Sequence, residues 1–66
     1  MSIVKVIEVI SEGPSVDEAI KAGLKEAAKT VENILQINVD HIEALVEKNK
    51  VTKFRVHSKL SFLVKN

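Results

Sequence analysis

Residues 35–47, Leu-Gln-Ile-Asn-Val-Asp-His-Ile-Glu-Ala-Leu-Val-Glu, and residues 51–64, Val-Thr-Lys-Phe-Arg-Val-His-Ser-Lys-Leu-Ser-Phe-Leu-Val, decide the fold. In the second stretch Phe54, Val56, Leu60, Phe62 and Val64 alternate with Lys53, Arg55, His57, Lys59 and Ser61. Successive side chains of a strand point to opposite faces, so one face is apolar and the other polar. In the first stretch Leu35, Ile37, Val39 and Leu45 share a face opposite Gln36, Asn38 and Asp40. Asn49-Lys50 lies between and predicts a two-residue turn. That turn pairs Lys48 with Val51, and so Leu45 with Phe54, Val39 with Leu60 and Ile37 with Phe62. Directly opposed residues point the same way, so the turn and both apolar faces agree. A slip of one residue would put one apolar set in water.

Working outward, residues 3–10, Ile-Val-Lys-Val-Ile-Glu-Val-Ile, are β-branched apart from two charges and predict a further strand. Its apolar residues fall on both faces, Val4, Val6 and Ile10 on one and Ile3, Ile7 and Val9 on the other. Ser11-Glu12-Gly13-Pro14 breaks the pattern. Ser15, with Glu18 three residues on, is a capping box that opens a helix. Asp17 and Glu18 place negative charge at the positive end of the helix dipole. The helix is predicted from about Val16 to about Asn33, with Val16, Ala19, Ile20, Gly23, Leu24, Ala27, Ala28 and Val31 on one stripe. Gly23 on that stripe implies a close approach to the sheet. Asn33 suits the left-handed conformation that ends helices. The element order is β-α-β-β: an α+β domain spanning residues 1–66, with a three-stranded antiparallel sheet wrapped around one helix.

Sixty-six residues bury a modest core, and a domain of this size needs a staple. There are no cysteines, which excludes disulfides, cysteine zinc sites and thiol chemistry, and fits a cytoplasmic protein. Association remains as the staple with fewest objections. Ten basic and nine acidic side chains give a net charge of +1, too little for electrostatic binding of nucleic acid or a membrane surface. The Lys48, Lys50 and Lys53 cluster is a solvated hairpin tip. Lengths point the same way. The predicted helix reaches about 27 Å and the last strand about 46 Å, so one helix cannot cover the sheet. Excess apolar sheet of this kind marks an interface between copies of the chain.

Lys5-Val6-Ile7-Glu8-Val9, the helix from Ser15 through Thr30-Val31-Glu32-Asn33-Ile34, and the strand from Phe54 to Phe62 together resemble the dodecins. The resemblance covers essentially the whole chain. It implies a hollow homododecameric shell that stores or sequesters a small ligand, with FMN or riboflavin as the ligand in many members. In flavin-binding dodecins a tryptophan just after the helix stacks on the flavin and a glutamine on the last strand bonds its edge. Those positions fall on Gln36 and Arg55, which are therefore the candidate ligand-binding residues. The chain has no Trp or Tyr, so the stacking surface is degraded, while an Arg guanidinium can stack on a ring or pair with a phosphate. Other members resemble calcium-binding or purely structural shells. Glu12 and Asp17, or Asp40 and Glu43, are the candidate oxygen donors for that alternative.

Catalysis finds little support. His41 and His57 are the available general bases, and the predicted register sets them opposite Ser58 and Ile42, on opposite faces. This disfavours a two-histidine metal site and leaves no nucleophile, base and acid together. Gly13 and Gly23 are ten residues apart and form no phosphate-cradling loop. The sequence therefore predicts a binding or assembly protein with no catalytic and no metal-ligating residues.

Overall fold

The computed structural model describes residues 2–65. Strand β1 spans Ile3–Gly13, helix α1 Val16–Ala27, strand β2 Ile34–Glu47 and strand β3 Lys50–Val64. The sheet is antiparallel with β3 in the centre, in the order β1-β3-β2. Helix α1 packs on β1 and β3, so the predicted β-α-β-β fold is present.

The start of the helix follows its local chemistry. Ser15 is extended, its hydroxyl accepts the Glu18 N–H at 3.1 Å, and the same hydroxyl donates to Glu18 Oε2 at 3.2 Å. Strand β1 runs three residues further than the predicted 3–10, because Ser11, Glu12 and Gly13 still pair with Val56, Arg55 and Phe54. Pro14, which has no N–H to donate, stops it.

The end of the helix differs from expectation. It closes at Ala27 rather than near Asn33, so its length is about 18 Å. The N–H groups of Lys29 and Thr30 bond back three residues, to Glu26 and Ala27, which tightens the last turn. Thr30 and Val31 are β-branched and poor helix formers, and Asn33 then turns the chain at φ 61°. Asn33 thus adopts the left-handed conformation expected of it, at the entry to β2 instead of at a helix cap. Its carbonyl accepts the Leu63 N–H at 3.0 Å, tying the turn to β3.

The hairpin register is the main correction. The turn is Lys48-Asn49, both left-handed at φ 50° and 64°, and Glu47 pairs with Lys50. Positive φ at both central residues matches the twist of the flanking strands, which outweighs the poor fit of lysine to that conformation. Three irregularities then shift the pairing. Thr52 is extra on β3, its hydroxyl donating to the Leu45 carbonyl at 3.3 Å, and Asp40 and Leu35 are extra on β2. Phe54 consequently faces Ala44, Leu60 faces Ile37 and Phe62 faces Ile34. Ile37 and Val39 stay on the helix-facing side, as expected, while Leu45 moves to the other face opposite Lys53. Each bulge adds one residue to one strand and so exchanges its faces beyond that point.

The core is small and central. Ala19, Val56 and Leu60 are fully buried, with Ser58 and Gly23 beside them. A Cβ on Gly23 would lie 2.9 Å from Ser11 Oγ and 3.2 Å from its Cβ, the close approach expected there. Gly13 is constrained more tightly: a Cβ would stand 2.8 Å from the Ala19 backbone nitrogen. Beyond Gly13, β2 and β3 continue as a two-stranded arm that β1 does not pair with, and the molecule extends 51 Å by 20 Å by 13 Å.

Candidate functional site

The face of the sheet turned away from α1 carries the polar side chains in transverse rows. Each row takes one residue from β1, one from β3 and one from β2. Glu12, Arg55 and Glu43 form one row; Ile10, His57 and His41 the next; Glu8, Lys59 and Asn38 the third; Val6, Ser61 and Gln36 the fourth. Period-two alternation on β1 and β3 places the first two members of every row, and the Asp40 bulge places the third.

Gln36 and Arg55 do lie on this one face, but the chain does not bring them together. Gln36 pairs with Ser61 and Arg55 with Glu43, six residues apart on β3, or about 20 Å. Gln36 is exposed on the edge strand β2. Arg55 is held within its own chain: its Nε and a terminal nitrogen each reach Glu12 Oε2 at 2.8 Å. Lys53 Nζ takes the other oxygen, Glu12 Oε1, at 2.8 Å. The hydrogen bonds from Lys53 and then Arg55 hold the Glu12 carboxyl below its ordinary value of 4.5. Arg55 thus has an ion-pair partner, Glu12, in its own row of its own chain.

Three of the four candidate donors for a hard cation face a lysine or arginine of the chain, and the fourth, Glu43, faces an imidazole. Asp17 meets Lys21 at 3.0 Å, Asp40 meets Lys59 at 3.6 Å, Glu12 meets Lys53 and Arg55, and Glu43 meets His57 at 2.6 Å. Such pairing uses the charge that would draw calcium.

The histidines overturn the expectation made for them. His41 and His57 are direct cross-strand partners, with ring centroids 3.9 Å apart and planes 20° from parallel. His57 Nε2 lies 2.6 Å from Glu43 Oε1, and this hydrogen bond is the main reason the Glu43 carboxyl is lowered. A cleft of about 140 Å³ opens beside the pair, lined by Glu8, Ile10, Asp40, His41, His57 and Lys59 among others. Neither Gln36 nor Arg55 lines it. A signal for this arrangement was present in the sequence. The apolar positions of β2 run odd through Ile37 and Val39, then even through Ile42 and Ala44, as a bulge between them requires.

A family model described as dodecin matches residues 3–65. Among solved structures, the dodecin from Streptomyces coelicolor superposes with a TM-score of 0.93 at 24% identity, covering 98% of this chain and 94% of that one. The dodecin from Streptomyces davaonensis gives 0.93 at 21%, covering 98% and 97%. The tt0972 protein from Thermus thermophilus gives 0.94 at 21%, covering 100% and 98%. A comparison with curated protein sequences finds no match.

Proposed function

The chain belongs to the dodecin family, and on that premise we propose that it is a cytoplasmic, non-catalytic subunit of a closed homododecameric shell that stores or sequesters a small ligand. The observation that carries the assembly is the apolar surface left uncovered. Val4, Val6, Ile10, Leu35, Val46 and Val51 are each at least half exposed, against three apolar residues buried, among the described residues. Neighbouring copies supply the missing cover.

The ligand in this reading is a flavin, FMN or riboflavin, or a related nucleotide-like anion. Gln36 and Arg55 share the polar face about 20 Å apart, and the proposed site takes Gln36 from one copy and Arg55 from another. Arg55 then offers a planar cation to a ring or phosphate, with Glu12 holding it in place. Gln36 contributes hydrogen bonds in place of an aromatic stack. Storage needs no nucleophile or general base, only exclusion of solvent.

Riboflavin fluorescence tests this. Titration with micromolar protein should quench the emission, and Gln36→Trp should deepen the quenching by restoring a stacking surface. Full emission with both proteins removes flavin from the account.

A further inference from the structure

We propose that His41, His57 and Glu43 form a binding site for a transition-metal dication of the zinc class. The inference does not rest on the ligand reading above. One donor atom from each of the three residues lies within 4.8 Å of the others. Two imidazoles and a carboxylate suit zinc, and are poor ligands for calcium, which takes oxygen alone. In a tetrahedral zinc site with bonds near 2.0–2.1 Å, donors stand roughly 3.3 Å apart. The 2.6 Å contact of His57 with Glu43 lies below that distance, and the 4.8 Å limit on the other donor spacings lies above it.

Position adds to composition. All three side chains stand on paired strands next to the Asp40 bulge, His41 and Glu43 two residues apart on β2 and His57 across from them on β3. The adjacent cleft leaves room for a water as the fourth ligand. Arg55 and Lys59 are the cations nearest in the neighbouring rows, and each is met by a carboxylate, Glu12 and Asp40 respectively. Glu8 lines the cleft as a further acidic group. The field at the site is thus not set by unpaired positive charge.

The metal and a proton compete for one atom. His57 Nε2 and Glu43 Oε1 at 2.6 Å share a proton. For Nε2 to bind metal, that proton must leave it: an imidazolium releases it to solvent, and a neutral ring carries it on Nδ1 instead.

His41 and His57 are the only histidines and the chain has no cysteine, so any imidazole ligation must come from them. Calorimetric titration of the assembled protein with zinc chloride should show one zinc per chain. His41→Asn and His57→Asn should each weaken binding at least about tenfold while calcium chloride gives no heat at the site. X-ray absorption of the zinc-loaded wild type should show imidazole nitrogen in the first coordination shell, a readout independent of whether a variant folds. Zinc binding that both variants retain, no zinc binding by the wild type, or a spectrum without imidazole overturns the proposal.

Discussion

Glu12 shows how one side chain couples the fold to pH. Its carboxylate accepts from Lys53 and Arg55, and its folded value is lowered from 4.5 by those two bonds. A depressed carboxyl contributes stability that is fully present above its unfolded value and lost as pH falls through the folded one. Glu43, lowered by His57, acts in the same direction. Thermal melts of the wild type should therefore fall in stability below about pH 4.5, and Glu12→Gln should flatten part of that acid limb. Identical acid limbs in the two proteins would contradict the assignment. None of this pairing was legible in the sequence beyond its possibility. Glu12 was read as part of a loop, since Gly13 and Pro14 follow it, and only the continued pairing with β3 puts it beside Arg55. Ser15 is legible because it acts through its own neighbours, a cap three residues long, and Gly23 because its place on the apolar stripe turns it toward β1, where Ser11 leaves no room for a Cβ.

At the scale of elements, alternation and capping located all four elements, and what they missed were the irregularities. A bulge costs no change in composition, so alternation read as unbroken misplaces every residue beyond it. The moved turn and the extra Thr52 together bring His41 opposite His57, and the extra Asp40 lets Val39 keep the helix side while His41 points away from it, so the two histidines stack. The turn offers a test at this scale. Lys48 sits at φ 50°, a conformation that asparagine and glycine enter with less strain. Lys48→Asn should stabilise the hairpin by up to about 1 kcal/mol in denaturant unfolding at fixed protein concentration. A loss of stability would mean that the lysine makes contacts outweighing its backbone strain. The helix end is obscured for a different reason: the apolar stripe continues from Ala28, the helix cap, to Val31, which lies beyond the last helical turn. Val31 is half-buried without belonging to the helix and Ala28 is exposed, so the shield over the sheet is shorter than predicted.

For the whole molecule, that shortening strengthens the case for assembly. A helix of about 18 Å covers less of a sheet than the 27 Å first expected. The arm beyond Gly13 carries Val46 and Val51, both more than half exposed, on a two-stranded ribbon of a kind that is marginal in water by itself. On β1, Val4, Val6 and Ile10 face away from the helix altogether. The chain thus presents apolar surface at an arm, along an edge strand and on the sheet's open face. In the proposed shell these patches dock on identical neighbours around symmetry axes. Light scattering coupled to size exclusion measures its mass directly. Twelve chains of 7.3 kDa predict a single particle of about 88 kDa that persists on dilution. A folded species of 7.3 kDa, stable at low concentration, would contradict the claim that this sheet depends on its neighbours for cover.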